Sequence, residues 1–386
     1  MDRLVNTVRR YDWGSVTAIP ALRGLPPDGR PQAELWIGAH ASASSRIDRG
    51  DGPVSLSAAI EADPVAELGT HVVRGFGPRL PFLLKVLAAD RPLSLQVHPN
   101  LEQAAAGFAD EERRGIPIDA SQRTYRDTNH KPELLCALTP FTGLCGFRAP
   151  AAAADLLAEL DIEAARRHVE LLRTEPDALA TVLIAFLTQE RARTAELVEL
   201  VAQTFSAGPH RIYADLARRF PGDPGVLAAL LLNPVRLRPG EALYLEPGVP
   251  HAYVSGLGVE VMANSDNVLR CGLTGKHIDV PGLLNVVRFE PKEPRLVRPI
   301  EVDDEEVYPS PAKDFRLSRR VLNGETRTIR GAGPRILLCT HGRVVVRLHT
   351  ETVALTSGES VFVPAREHGE AVVHGTGTLF SATVGE

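Results

Sequence analysis

The stretch Leu93-Ser-Leu-Gln-Val-His-Pro99 alternates apolar and polar residues. Successive side chains of a β-strand point to opposite faces, so Ser94, Gln96 and His98 share one face of the predicted strand. That polar face either lines an interior that binds a ligand or lies in solvent. The surrounding sequence favours a β region, because short apolar runs are separated by Gly, Pro, Asp and Asn.

Two further stretches place metal-ligating side chains at the start of apolar runs. His130-Lys-Pro-Glu133 precedes the run that ends at Leu138, and Pro247-Gly-Val-Pro-His251 puts a histidine after a rigid turn. Taken singly, Glu133 also fits an exposed carboxylate at a strand end, and His251 also fits a hydrogen-bonded structural histidine.

Together these segments supply a donor set for a divalent first-row metal ion. Its members are Gln96, His98, Glu133 and His251. Two neutral imidazoles and one carboxylate would leave a bound Zn²⁺ with a net charge of about +1, which favours an oxygen-rich or anionic ligand.

A fourth segment, residues 260–276, brings both charge signs close to apolar residues. Arg270 either holds a phosphate or stabilises a developing oxyanion, and the alternative is a surface ion pair with Asp266. The Gly275-Lys276 pair lacks the first glycine of a phosphate-binding P-loop, so nucleotide binding is not supported.

The distribution of residue types predicts four segments. Residues 1–150 and 233–299 have the strand-and-turn pattern of one β domain, with short helices predicted at 56–68 and 102–114. Residues 151–232 are rich in Ala, Leu, Glu and Arg and predict an inserted helical domain. Residues 300–386 predict a second β domain, with separate strands at 335–339 and 343–348 among others.

Composition excludes several classes of protein. The 386 residues include 43 Lys and Arg against 48 Asp and Glu, a net charge of −5, which argues against a broad nucleic-acid partner. Residues 1–14 resemble no secretory signal and no run is long enough to span a membrane, so we expect a cytoplasmic protein. The four cysteines form no CxxC motif and are predicted to be reduced core residues.

Six blocks in order along the chain resemble the type I mannose-6-phosphate isomerase family. They are Tyr11-Asp-Trp-Gly-Ser15, Glu34-Leu-Trp-Ile-Gly38, Leu93-Ser-Leu-Gln-Val-His-Pro-Asn100, Asn129-His-Lys-Pro-Glu133, Pro250-His-Ala-Tyr253 and Ser265-Asp-Asn-Val-Leu-Arg270. The resemblance implies a mainly β fold: a cupin-type barrel or jelly roll with an inserted helical domain and a second, C-terminal cupin-like domain. It also implies one Zn²⁺ per chain, bound by the four donors named above.

The reaction that the resemblance implies interconverts mannose 6-phosphate and fructose 6-phosphate by moving a proton between C2 and C1 through an enediol. Arg270 matches the active-site arginine, and the candidates for proton transfer are His130, Lys131, Glu260 and Asp266, which the sequence does not rank. The residues expected to bind substrate are Trp13, Glu34, Lys85, Ser94, Tyr253 and Lys276. Many relatives have a lysine where this chain has Leu101. If that lysine helps to hold the substrate, Lys85, Lys131 or Lys276 must do so here.

Two other classes of function stay open at this level. Two histidines and a carboxylate on a cupin-like barrel also suit Fe(II) and oxygen chemistry. A non-catalytic sugar-binding protein is the second alternative. The amide of Gln96 and the nearby cationic residues favour a small-molecule sugar phosphate as the partner. The sequence makes no prediction about the oligomeric state.

Overall fold

Antiparallel strands from both ends of the chain build two large sheets, and a group of helices lies between two strands of the first. The computed structural model describes residues 1–385. The strands are β1 (Asp2–Arg3), β2 (Thr7–Arg9), β3 (Glu34–Ile37), β4 (Arg46–Asp48), β5 (Pro53–Ser55), β6 (Phe82–Ala89), β7 (Leu95–Val97), β8 (Glu133–Ala137), β9 (Phe141–Phe147), β10 (Leu232–Leu237), β11 (Ala242–Leu245), β12 (His251–Ala263), β13 (Leu269–Gly272), β14 (Leu296–Val297), β15 (Ile300–Val302), β16 (Glu305–Tyr308), β17 (Arg316–Ile329), β18 (Arg335–Leu348), β19 (Glu351–Thr356), β20 (Ser360–Val363) and β21 (Ala371–Thr383).

The helices are α1 (Ala18–Leu22), α2 (Leu56–Ala62), α3 (Pro64–Leu68), α4 (Thr70–Phe76), α5 (Leu101–Arg113), α6 (Pro150–Ala158), α7 (Glu163–Thr174), α8 (Ala178–Thr188), α9 (Arg191–Thr204), α10 (Arg211–Arg219), α11 (Pro224–Ala229) and α12 (Val280–Val286). Helix α5 begins with a capping box, in which Asn100 and Gln103 bond each other's backbone N–H groups. The helix predicted at residues 102–114 is therefore present and begins one residue earlier.

The first sheet has eleven strands and carries the sequence blocks described above. Its main path runs β14-β11-β8-β12-β6-β3-β2, and β12 also pairs with β7 and β9. Strand β7 shows the predicted alternation, since Leu95 and Val97 are buried in an apolar core while Gln96 is only partly buried. The strand period therefore aims the polar residues of this segment away from that core.

Six helices, α6 to α11, lie between β9 and β10. Their apolar faces pack against the sheet as well as against one another, because Val182 and Leu227 share one buried cluster with Val97 and Leu269. This common core fixes the helical segment against β7 and β13, the strands that carry Gln96 and Arg270.

The second sheet, of eight strands, follows the order β1-β20-β18-β21-β17-β16-β15, with β19 paired to β18. The separate strands predicted at 335–339 and 343–348 were wrong: β18 is continuous through both. A register shift between Cys339 and His341 accommodates the polar interruption as an irregularity within the strand. Phe315, Phe362 and Phe380 share a buried cluster with Leu84 and Val86, so the two sheets pack on each other.

The N-terminus crosses from one sheet to the other. Strand β1 pairs with β20 of the second sheet, whereas β2 pairs with β3 of the first. The α-amino group of Met1 lies 2.6 Å from the carboxylates of both Glu351 and Glu367. These two ion pairs, made one residue before β1, tie the amino end to the last quarter of the sequence.

The expectation of a mainly β fold is confirmed. The division into domains at 150, 232 and 299 stays a prediction, because the helices and both sheets share apolar clusters. All four cysteines are buried and free of disulfides. Within residues 1–385, no helix has both the length and the apolar character needed to cross a bilayer.

Candidate metal centre and substrate cavity

One open cavity of about 1160 Å³ collects most of the predicted site residues. Those that line it are Trp13, Glu34, Lys85, Ser94, Gln96, Lys131, Glu133, Tyr253, Glu260, Asp266, Arg270 and Lys276. The volume exceeds that of a single hexose phosphate, so the cavity has room for such a molecule with its first hydration layer.

Three donors converge beside this cavity. The ligand atoms of His98, Glu133 and His251 lie within 4.8 Å of one another, and all three residues are buried. His98 Nε2 is 3.3 Å from Glu133 Oε1, and His251 Nε2 is 3.6 Å from Glu133 Oε2. The amide of Gln96 completes the group, with its Nε2 3.4 Å from His251 Nε2.

Strand pairing explains part of this convergence. Gln96 on β7 is the register partner of His251 at the start of β12, and facing residues on paired strands project to the same side of a sheet. Residues 155 positions apart in the chain therefore meet in one place. Glu133 at the start of β8 is the register partner of Met262 near the other end of β12, so register alone does not bring it to the two histidines.

Backbone carbonyls hold both imidazoles in the tautomer that a metal ligand needs. His98 Nδ1 lies 2.8 Å from the carbonyl of Asn267, and His251 Nδ1 lies 3.0 Å from the carbonyl of Val249. A carbonyl only accepts, so each Nδ1 carries the proton and donates it, and each Nε2 keeps its lone pair. Burial also lowers the pKa of His98, and it lowers that of His251 to about 4, which keeps both rings neutral.

Two ligand atoms of this donor set lack a hydrogen-bond partner in the described part of the chain. His98 Nε2 and Glu133 Oε2 are buried and have no hydrogen-bond partner among residues 1–385. Leaving such groups unsatisfied costs about 1–3 kcal/mol each. The imidazole and carboxylate chemistry of the set fits a divalent metal ion, which would satisfy both atoms at once.

A row of side chains on the central strands forms another wall. Trp36, Lys85 and Glu260 are register partners on β3, β6 and β12. Lys85 Nζ lies 3.3 Å from Glu34 Oε1 and 3.4 Å from Glu260 Oε2. Burial opposes the charge on Lys85, but the two carboxylates outweigh it and raise its pKa.

Glu260 is the most perturbed carboxyl group of this wall. Burial and the neighbouring Glu133 raise the pKa of Glu260 to about 7, against the opposing effect of Lys85. The hydroxyl of Tyr253 donates to Glu260 Oε1 at 2.9 Å. A carboxyl group whose pKa lies near neutrality can exchange a proton under ordinary conditions.

The block Ser265 to Arg270 is tied to the block Asn129 to Glu133 by a buried polar network. Asn267 donates its side-chain N–H groups to the backbone carbonyls of Asp127 and Asn129 at 2.8 and 2.9 Å. It also accepts from the backbone N–H of Arg126 at 2.7 Å. This side chain is fully buried, and it fixes two cavity walls relative to each other.

Three cations of the cavity lining lie near one another and have no acidic partner among the described residues, and their region is called the cationic end of the cavity. Arg126, Arg270 and Lys276 have no ion-pair partner within residues 1–385. Burial lowers the pKa of Arg270, and Arg126 adds to this effect. Burial also lowers the pKa of Lys276, with further contributions from Arg270 and Arg126, so the three charges lie near one another.

Two of the candidates for proton transfer, Asp266 and His130, make contacts that the sequence did not indicate. The alternative of an ion pair between Asp266 and Arg270 is not observed; Asp266 Oδ1 instead lies 3.3 Å from His40 Nε2. His130 does not line the cavity, and its Nε2 lies 2.8 Å from Asp314 Oδ2. It precedes the strand start at Glu133 by three residues, and its ring turns towards the second sheet. Leu101 is 54% exposed and also lies outside the lining.

Several lining residues were not among the predicted site residues. Among them are Arg9, Tyr11, Trp36, His40, Ser42, Arg123, Arg126, Arg218 and Arg219. Tyr11 and Trp36 lie inside blocks that carry the family resemblance, which was a usable signal. The arginines of α10 gave none, because a basic last helical turn is an ordinary feature of an exposed helix.

The fold and the site define a class: β proteins with a buried two-histidine, one-carboxylate metal centre open to a cationic cavity. Residues 1–150 match the family model of the phosphomannose isomerase type I catalytic domain. The mannose-6-phosphate isomerase of Escherichia coli K12 is 40% identical, with 98% of each chain covered. The human mannose-6-phosphate isomerase is 33% identical over 93% of this chain and 92% of the human chain.

Solved structures agree with these sequence relatives. A crystal structure of a phosphomannose isomerase mutant from Salmonella typhimurium is 39% identical, with full coverage of both chains and a TM-score of 0.94. A zinc-bound mannose 6-phosphate isomerase is 39% identical, covers 100% of this chain and 99% of its own, and has a TM-score of 0.93. The chain belongs to the type I phosphomannose isomerase family, a family of isomerase enzymes, and the resemblance found in the sequence is confirmed.

Proposed function

We propose that this protein interconverts mannose 6-phosphate and fructose 6-phosphate with the help of one Zn²⁺ per chain. The observation that carries the proposal is the set of buried donors, His98, Glu133 and His251, two of whose atoms lack a protein partner, beside a cavity with unpaired cations. Zinc-bound members of the family support the choice of metal.

Gln96, His98, Glu133 and His251 would hold the ion. The amide of Gln96 qualifies because its two ends exchange by rotation about the last side-chain bond, and the oxygen is the ligating end. Bound there, Zn²⁺ would act as a Lewis acid that polarises the O1 and O2 oxygens of the open-chain sugar. The peptide carbonyls on the Nδ1 side of each histidine would keep the rings oriented.

The sugar would lie with C1 and C2 near these ligands and its phosphate at the cationic end. Arg126 and Lys276 are the groups we assign to the phosphate, since both charges lack an acidic partner. Arg270 lies between the metal ligands and the cationic end, because it is the register partner of Gln96 and lies near Arg126. We assign Arg270 to the enediolate oxygen, where negative charge develops.

Of the four candidates for proton transfer, Lys131, Glu260 and Asp266 line the cavity. We assign the transfer between C2 and C1 to Glu260. Tyr253 occupies its Oε1, which leaves Oε2 for the substrate proton. Lys85, whose Nζ is 3.4 Å from Oε2, stabilises the ionised form that must accept the proton. Lys131, 3.4 Å from Glu133 Oε1, would neutralise charge near the metal ligands.

A coupled isomerase assay on the purified protein tests the proposal. We expect conversion of mannose 6-phosphate, loss of activity after chelation, and recovery on addition of Zn²⁺. Absence of conversion by the zinc-loaded protein would overturn the proposal. Oxygen uptake dependent on Fe(II) would point instead to the oxygenase alternative.

A further inference from the structure

The loop at residues 272–276 carries Lys276, yet its anchor lies in the helical segment. Asp223, the N-cap of α11, accepts the backbone N–H of Leu273 at 3.1 Å through Oδ1. Its Oδ2 accepts the backbone N–H of Thr274 at 3.0 Å. Oδ1 also accepts the N–H of Gly225 at 2.7 Å, so one carboxylate holds its own helix and the loop together.

The position of Thr274 in turn restricts the backbone of Lys276. Thr274 Oγ1 accepts the backbone N–H of Lys276 at 3.1 Å. Leu273 has φ of +54°, a left-handed conformation that a leucine holds only when its surroundings impose it. Its side chain is buried in the same cluster as Leu227 of α11.

Helix and loop also meet backbone to backbone. A Cβ added to Gly225 would overlap the backbone N of Leu273, and one added to Gly272 would overlap the Cα of Gly225. Such an approach is possible only between two glycines, so the start of α11 sets where the loop runs. Arg218 and Arg219, four to five residues before Asp223, line the same cavity.

From these contacts we propose that Asp223 is a positioning residue for phosphate binding: through Leu273 and Thr274 it places Lys276 at the cationic end of the cavity. The inserted helices thereby set the affinity for the phosphorylated substrate, although α11 contributes no lining side chain of its own. The inference rests on the proposed function, because it assigns the phosphate to Lys276.

Asp223→Asn is the decisive variant. Asparagine keeps an oxygen for Gly225 and Leu273 but presents an N–H₂ group, which cannot accept, to Thr274. We expect the KM for mannose 6-phosphate to rise about tenfold and kcat to change less than about twofold, the effect of one lost hydrogen bond on substrate placement. The inhibition constant of inorganic phosphate should rise in parallel, and the zinc content should stay at the wild-type level.

Asp63→Asn is the matched control. Asp63 caps α3 through a bond to the N–H of Ala66 at 3.0 Å, and it does not line the cavity. It should leave KM and phosphate inhibition unchanged and alter thermal stability little, because the asparagine oxygen still accepts the N–H of Ala66. A merely structural Asp223 would behave in the same way.

Gly225→Ala keeps the test decisive if Asp223→Asn does not fold. It leaves the carboxylate intact and displaces the loop by steric overlap, so it should also raise KM and the phosphate inhibition constant. Folded variants with wild-type values of both constants would overturn the inference. A wild-type chain without turnover would overturn the proposed function instead, and titration with inorganic phosphate would still decide the role of Asp223.

Discussion

Arg270 stands directly opposite Gln96 where β13 pairs with β7. Gln96 is in turn the register partner of His251, so the guanidinium-bearing residue is one strand away from the donor set. The antiparallel ladder thus places the arginine proposed to stabilise charge beside the proposed metal donors.

The first prediction concerns Arg270→Ala. Removing the guanidinium takes away charge stabilisation that matters only when the enediolate forms, so kcat should fall about 10²- to 10³-fold. The zinc content, measured by atomic absorption, should not change. A rise in KM with unchanged kcat would instead assign Arg270 to substrate binding in general.

His251→Ala should abolish stable zinc binding while the protein stays folded. Loss of a group that merely orients a ligand costs about 10- to 100-fold in metal affinity, and loss of a ligand should cost more. Metal analysis after dialysis and circular dichroism report the two properties. His130→Ala is the matched control, because that histidine faces Asp314 and should leave the zinc content intact. Retained stoichiometric zinc in His251→Ala would contradict the assignment.

Glu260→Gln should lower kcat by about 10²- to 10⁴-fold, since an amide cannot take up the substrate proton. Loss of solvent deuterium incorporation into the product would locate the defect at proton transfer. Glu34→Gln removes the other carboxylate near Lys85 and should have a smaller effect. Equal losses in the two variants would mean that both carboxylates act through the charge of Lys85.

The α-amino group of Met1 should make stability depend on alkaline pH. Burial opposes its charge, but hydrogen bonds to Glu351 and Glu367 outweigh burial and raise its pKa above the ordinary 8.0. Because the pKa of this amino group is higher in the folded than in the unfolded protein, its charge stabilises the fold fully below pH 8. This stabilisation is lost as the pH rises through the pKa of the folded protein. Between pH 8 and pH 10, the melting temperature of the wild type should therefore fall by about 1 °C more than that of the double variant Glu351→Gln, Glu367→Gln. Parallel melting curves would refute this.

The thiols should be unreactive in the folded protein. Burial raises the pKa of Cys136 to about 11 and that of Cys145 to about 12, and it also raises the pKa of Cys271. Burial likewise raises the pKa of Cys339 to about 11. A thiol reagent at pH 8 should detect no native thiol and all four after denaturation. Leu101→Cys, at an exposed position, provides the reactive control, and rapid labelling of the wild type would contradict the prediction.

The sequence was most informative where chemistry and strand period coincide. Gln96, Glu133 and His251 stand at strand positions that the local pattern defines, His98 directly follows β7, and the structure brings the four together. It was least informative where a long-range contact decides the role. The pairing of His40 with Asp266, and of His130 with Asp314, depends on chain segments 184 to 226 residues apart that no local pattern relates.

The same limit applies to the second sheet and to the cationic end of the cavity. An interrupted apolar pattern at Thr340 and His341 predicts a turn, but pairing of β18 with β21 on both sides carries the strand through the interruption. Arg218 and Arg219 belong to a helix whose sequence gives only its own periodicity, and packing against the sheet brings them to the cavity. Tertiary packing, rather than propensity, decides such positions.

The pairing of β1 with β20 also has a consequence for biosynthesis. Asn6 bonds Ser360, a residue that follows it by 354 positions, so the amino end leaves the ribosome long before its partner strand exists. At about 5–20 residues per second, the nascent chain waits roughly 20 to 70 s with this edge unpaired. The second sheet can therefore be completed only after β20 and β21 have been synthesised, and until then β1 stays accessible to chaperones that shield nascent chains.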